Sequence, residues 1–216
     1  RSGSKGILDK NITILNGKPM MAYSIDCSRK SRYISRTIVS TDSIKYSEIA
    51  KSNYAEVPFL RNKNTSEDNV HSVFAVIELL KKLSEIENYN PDITIMLLPT
   101  SPLRKHETLD IAIEKFISNY DEIDSLISVY NLKKSKFHLR EIKKGRLKPL
   151  YNMPSKNIQR NDLEENVFLL NGSIYISKTK SLLDNNTYHV KNSTYFEMSF
   201  FESIDIDTID DFRLAE

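Results

Sequence analysis

The feature that most constrains the fold is the run Ile93-Thr94-Ile95-Met96-Leu97-Leu98. It is nearly continuous in apolar residues, so both faces of the strand it forms must be covered. Pro99-Thr100 ends it. Helical patterns stand on either side. Before it, Val70, Val73, Phe74, Ile77 and Leu80 recur at helical spacing in a helix expected to start at Asp68. After it, Ser101 is expected to cap a helix with Pro102 at its first position, and Leu109, Ala112, Ile113 and Phe116 turn inward. A buried strand between two amphipathic helices is the unit of an α/β sheet.

The unit repeats along the chain. Pro19 is placed to open a helix that carries Met20, Ala22, Tyr23 and Cys27. Arg36–Ser40 reads as a buried strand of β-branched residues, and Ser43–Asn53 as a helix. Glu56–Leu60 reads as a short strand, irregular at Pro58. Ser125–Val129, Val167–Ile176 and Ser203–Ile206 are further strands, and Thr208–Ala215 closes the chain as a helix. The expectation is a single domain over residues 1–216 with a mainly parallel, Rossmann-like sheet and helices on both faces. Residues 133–161 break the rhythm. They are rich in Lys, Arg and Asn with short alternating apolar residues, and they read as a protruding hairpin.

Ligands of such sheets bind beyond the carboxyl ends of the strands. Thr41-Asp42, Pro99-Thr100 and Asp205-Ile206-Asp207 all fall at strand ends. Asp205 and Asp207 are two apart, so on an extended segment they face the same side. Two carboxylates that close call for a compensating cation, and Mg²⁺ binds through one or two carboxylates plus substrate phosphates. At the other end of the chain lies Arg1-Ser2-Gly3-Ser4-Lys5-Gly6-Ile7-Leu8-Asp9-Lys10-Asn11. Glycines flanking Ser4-Lys5, with cations at Arg1, Lys5 and Lys10, suit a polyphosphate. The sequence is neither a P-loop nor a dinucleotide fingerprint. A phosphate loop with paired carboxylates implies nucleotidyl transfer.

Composition removes other classes. The net charge of +2 gives no nucleic-acid footprint. One cysteine, Cys27, allows no disulfide within the chain, and no apolar run reaches the ~18 residues of a membrane span. No signal-peptide pattern is present, so a cytoplasmic protein is expected. His71, His106, His138 and His189 read as polar surface or helix residues.

The phosphate loop, with Leu15-x-Gly17-Lys18-Pro19 after it, resembles the opening of the acylneuraminate cytidylyltransferases, the CMP-sialic acid synthetases. Val39-Ser40-Thr41-Asp42, Pro99-Thr100-Ser101-Pro102-Leu103-Arg104, Asn171-Gly172-x-Ile174-Tyr175-Ile176 and Ile204–Thr208 follow in the family's order. The resemblance implies transfer of CMP from CTP to a nonulosonic acid. It implies that Arg1, Ser4 and Lys5 hold the β- and γ-phosphates, that Lys10 reaches the α-phosphate, and that Asn11 contacts the nucleotide. Asp205 and Asp207 would bind Mg²⁺. Arg61, Ser66 and Asp68 stand where the family reads the pyrimidine, although Ser66 or Asp68 reads equally as a helix cap. Thr100 lies at the pocket edge. Asn171 and Gly172 match the sugar-binding Asn-Gly, and Arg160 matches an arginine suited to the sugar carboxylate. Residues 133–161 correspond to an arm that makes a homodimer. A short apolar strand precedes the phosphate loop in the family, whereas this sequence begins inside the motif; without that strand a central element of the sheet is expected to be lost.

Three departures bear on specificity. Leu98 stands where the family has Gln, Asn161 follows Arg160 in place of Gln, and Ser2 replaces a loop glycine. Leu98 cannot hydrogen-bond a polar substituent, so a sugar other than N-acetylneuraminic acid is expected, such as legionaminic acid or Kdn. A guanylyl or other nucleotidyl specificity, and a non-catalytic nucleotide-sugar-binding protein, are the alternative readings.

Overall fold

The computed structural model describes residues 7–62, 71–151 and 167–216. After a short antiparallel pair, β1 (Ile14–Leu15) and β2 (Lys18–Pro19), the central sheet has four strands in the order β3-β7-β4-β8: Ile93–Leu97, Phe168–Lys178, Ser125–Asn131 and Ser193–Glu197. β7 runs antiparallel to both β3 and β4, and β8 runs parallel to β4. The sheet is therefore mixed, where a mainly parallel one was expected. Three strands share a direction, and β7 lies reversed between two of them.

Helices cover both faces, as the apolar run at Ile93–Leu97 requires. On one face α4 (His106–Ser118) sets Leu109, Ala112, Ile113 and Phe116 against Leu126, Ile174 and Ile176, with Cys27 of α1 (Met20–Lys30) in the same cluster. On the other, Ile77 and Leu80 of α3 (Ser72–Glu87) and Leu182 of α5 (Thr179–Asn185) pack with Ile127 and Tyr188. α2 (Ile44–Ser52) packs Tyr46 and Ala50 against Met21 and Ile25 of α1. α6 (Ile209–Ala215) packs Phe212 and Ala215 on Leu15, Met20 and Ile206. This last cluster ties the two ends of the described chain together.

Several local expectations are corrected. α4 begins at His106 with Lys105 as its cap; Pro102 and Leu103 form a turn before it. Arg36–Ser40 contributes one parallel bridge, Ile38 to Glu56, in place of a full strand. Ser203–Ile206 is not a sheet strand: it leaves a 3-10 turn and runs extended, joined to the β3 end by Ile206 N donating to Thr100 O at 2.8 Å. The start expected at Asp68 lies outside the described residues. The hairpin within 133–161 is present as β5 (Arg140–Lys143) and β6 (Arg146–Pro149). Lys144 and Gly145, both at positive φ, make its two-residue turn, which matches the twist of the strands. Asn152–Asn161 lie outside the described residues.

β7 carries the irregularity that shapes the site. Ile127 faces Tyr175, but Val129 faces Leu170, so residues 171–174 bulge opposite Ser128. Ser128 fills the gap: its hydroxyl donates to Asn171 Oδ1 at 2.5 Å and accepts from Ile174 N at 2.7 Å.

Candidate active site

Lys10 and Asp207, nearly two hundred residues apart in sequence, meet at the carboxyl end of β3. Lys10 Nζ donates to Asp207 Oδ1 at 2.8 Å and to Ile206 O at 2.7 Å. Lys10 is buried while the Asp207 side chain is 71% exposed. The segment before Lys10 is pinned: Asp9, at φ 54, accepts from Lys45 Nζ at 3.1 Å and from the Tyr46 hydroxyl at 3.0 Å. These bonds hold the Asp9 carboxyl below its ordinary pKa, Lys45 first and Tyr46 second.

Asp205 is the inner carboxylate. Burial raises its pKa; a hydrogen bond from the Thr100 side chain and the charge of Lys10 oppose the rise, and the charge of Asp207 adds to it. Its Oδ1 is buried without a hydrogen-bond partner among the described residues. A carboxylate oxygen left so is an acceptor in want of a cation or donor. With Asp207 two residues on and open to solvent, the pair could hold a hard divalent cation that keeps oxygen ligands from substrate. Among the described residues no group of three or more His, Cys, Asp or Glu side chains gathers to hold a metal.

The wall opposite Asp205 is Gly172 and Leu98. Gly172 has φ +67, and a Cβ built on it would lie 3.5 Å from Leu98 Cδ1 and 3.8 Å from Asp205 Oδ2. Leu98 thus reaches the site and is only half-buried. Tyr175 stands behind the bulge; burial raises its pKa, and the charge of Asp205 adds to the effect. It was not singled out in the sequence, although it belongs to the motif that carries Gly172.

Lys10, Leu98, Thr100, Gly172, Asp205 and Asp207 are therefore brought together. Asn171 is not available as a sugar contact through its side chain. Its Oδ1 accepts from Ser128 and from Ser173 N at 3.2 Å, and its Nδ2 donates to Ser203 Oγ at 2.9 Å and to Met198 Sδ at 3.4 Å. All four of its hydrogen-bonding positions serve the bulge, so Gly172 is the member of the pair that faces Asp205. Arg61 is anchored on Ser40, with its Nε donating to the hydroxyl at 3.1 Å and its Nη2 to the carbonyl. Asn11 sits in the 3-10 turn Lys10–Ile12 beside Lys10. Arg1, Ser4, Lys5, Ser66, Asp68 and Arg160 lie outside the described residues.

An α/β sheet with a lysine and paired carboxylates at its strand ends has the construction of a nucleotidyltransferase. A family profile described as Cytidylyltransferase matches residues 1–204, and the chain belongs to that family. A CMP-N,N'-diacetyllegionaminic acid synthase of Legionella pneumophila is 33% identical over 218 residues, covering 100% of this chain and 91% of its own length. An N-acylneuraminate cytidylyltransferase of Escherichia coli is 28% identical, covering 100% of this chain and 49% of its own. Among solved structures, a CMP:2-keto-3-deoxy-manno-octonic acid synthetase complexed with CTP superposes with a TM-score of 0.69 at 12% identity, covering 99% of this chain and 92% of that one. The chain is a nucleotidyltransferase of the CMP-sugar synthetase kind.

Proposed function

We propose that this protein transfers CMP from CTP to a nonulosonic acid and releases pyrophosphate. The observation that carries the reading is the Lys10–Asp207 pair beside Asp205, whose buried oxygen has no partner among the described residues, in a chain of the cytidylyltransferase family. The acceptor hydroxyl oxygen bonds to the α-phosphorus while the bond from phosphorus to pyrophosphate breaks. Such transfer depends on positioning and charge stabilisation. Lys10 supplies a buried, rigidly seated cation at the α-phosphate, and Asn11 next to it contacts the nucleotide. Arg1, Ser4 and Lys5 take the β- and γ-phosphates. Arg61 with Ser66 and Asp68 reads the pyrimidine edge, and Arg160 pairs with the sugar carboxylate. Thr100 favours the charged form of Asp205 against the effect of burial.

Asp205 and Asp207 hold Mg²⁺ in this reading. When bound, the ion neutralises phosphate charge and lowers the pKa of the acceptor hydroxyl.

Two further proposals concern assembly and setting. The β5–β6 hairpin pairs Ile142 with Leu147 across its strands, and these side chains are 76% and 70% exposed. A lone hairpin is marginal in water, which supports its role as a dimerisation arm packing on a second copy. No helix among the described residues is long and apolar enough to cross a membrane, and Cys27 is an unpaired, buried thiol; both fit a cytoplasmic, CTP-using enzyme.

The test is pyrophosphate release with each of the four nucleoside triphosphates against a panel of nonulosonic acids. Release with CTP and at least one nonulosonate is expected. Release with GTP in preference to CTP would establish a guanylyltransferase, and binding without release a non-catalytic protein.

A further inference from the structure

Arg104 is 4% exposed, and among the described residues no carboxylate is a hydrogen-bond partner of it. Nη1 donates to Ser173 O at 2.6 Å and to Ser173 Oγ at 3.1 Å, and Nη2 donates to Ser24 Oγ at 2.7 Å. The Cys27 thiol lies beside the guanidinium, and Nε has no partner among the described residues. A buried charge without a counter-charge costs folding free energy, and an apolar side chain of similar volume fills such a space without that cost. What the apolar substitute lacks is the rigid fork of donors.

The fork joins three elements. Ser173 belongs to the β7 bulge and follows Gly172 directly. Ser24 belongs to α1, and its hydroxyl donates onward to Leu98 O at 3.1 Å, at the end of β3. Arg104 itself stands in the turn that leads into α4. The clip therefore fixes Leu98 and Gly172 relative to each other, and those two residues form the wall facing Asp205 Oδ2. Lys10 lies on a different element, the 3-10 turn Lys10–Ile12.

We propose that Arg104 is a positioning residue for the acceptor: through Ser24 and Ser173 it sets the wall of Leu98 and Gly172 beside Asp205, against which the acceptor is placed. Arg104 touches no substrate. Lysine cannot replace it, because one ammonium cannot span both serines in this geometry. A shift of the wall by about 1 Å is enough to cost up to about a hundredfold in rate.

The proposal rests on the CMP-transfer reading, and the test separates the two. Arg104→Lys and Ser24→Ala are compared with wild type in amide hydrogen exchange and in kinetics. In Arg104→Lys, exchange at residues 171–174 is expected to speed by about tenfold or more, with α4 unchanged. kcat/KM for the acceptor is expected to fall about tenfold to a hundredfold, while the Kd for CTP alone stays within about twofold. Ser24→Ala is expected to give a smaller loss in the same direction. Unchanged exchange at 171–174, or equal loss of CTP binding and acceptor use together with a general rise in exchange, overturns the positioning role. If Arg104→Lys does not fold, Ser24→Ala and Ser173→Ala decide, and normal acceptor kinetics in both refutes it. A wild-type protein that releases no pyrophosphate with any acceptor sinks the functional reading, whereas the exchange measurement still tests the clip.

Discussion

Replacing Gly172 with alanine separates backbone strain from crowding of the site. At φ +67 the residue is left-handed, a conformation that costs a non-glycine residue roughly 1–2 kcal/mol. The added methyl meets Leu98 Cδ1 at 3.5 Å and Asp205 Oδ2 at 3.8 Å, both ordinary contacts. No clash adds to the cost, and burial of one methyl returns up to about 0.8 kcal/mol. The net is about 1 kcal/mol, which for a chain of this size lowers Tm by roughly 2–4 °C. The methyl does, however, change the wall formed by Leu98 and Gly172 beside Asp205, against which the acceptor is placed. Gly172→Ala should therefore lower kcat/KM for the acceptor by about tenfold or more and leave CTP binding unchanged. Gly17→Ala is the control: Gly17 has φ +81 and nothing within 4 Å of its built Cβ. It should show a similar fall in Tm with normal kinetics. Thermal melting and steady-state assays on both variants check this. Equal kinetic losses in the two, or a Gly172→Ala protein with wild-type acceptor kinetics, would refute the reasoning.

Other expectations follow from the same contacts. Asp207→Ala should abolish turnover with little change in Tm, because the side chain is 71% exposed and Lys10 keeps its bond to Ile206 O; near-normal pyrophosphate release from the purified variant rejects its role. Lys10→Ala should lower kcat more than it raises KM for CTP, since charge at the α-phosphate grows during transfer, and a pure KM effect contradicts that. Leu98→Gln should shift the kcat/KM ratio toward N-acetylneuraminic acid over 9-deoxy nonulosonates; a fall in Tm with no change in ratio would place Leu98 in packing alone. Burial works against the charge of Asp110, but bonds from the Ser31 hydroxyl and from the amide and guanidinium of Arg32 outweigh it, so its pKa lies below the ordinary 3.8. A depressed folded-state pKa means stabilisation present above the unfolded value and lost as pH falls through the folded one. Asp110→Asn should thus cost about 1–3 kcal/mol near pH 7 and progressively less below about pH 4, read by urea unfolding at the two pH values.

The elements that sequence made legible are those whose burial is local and periodic. The Ile93–Leu98 run had to be covered on both faces, and α3 and α4 carry apolar stripes at 3.6-residue spacing that do so. α2 falls between Ser43 and Asn53 because Ser43 accepts from Tyr46 N at its start. The direction of β7 was not legible. An apolar strand reads the same whichever way it runs, and the antiparallel insertion between β3 and β4 depends on the path of the chain around the 133–161 excursion. The helix start at Ser101-Pro102 misled because those residues suit a cap, yet Arg104, buried in the clip, holds the chain in a turn until Lys105.

The site divides in the same way. Asp205 and Asp207 were readable from spacing, because residues two apart on an extended segment face one side whether or not the segment joins a sheet. Lys10 was legible as a cation of the glycine loop, and Leu98 and Gly172 only through resemblance; their meeting with Asp205 was not legible, since it joins four distant stretches of chain. The seating of the Asn171 side chain in the bulge was not legible: a buried amide there has four hydrogen-bonding positions to satisfy, and Ser128, Ser173, Ser203 and Met198 satisfy them all. The same bulge left Arg104 and Ser24 invisible as parts of the site. Neither touches the cleft, and an arginine ending Pro99–Arg104 reads as a surface helix cation unless the β7 bulge is known to lie under it. The residues that contact substrate carry the chemistry that a sequence motif displays, while the spacing between them is held by buried groups whose partners only the fold supplies.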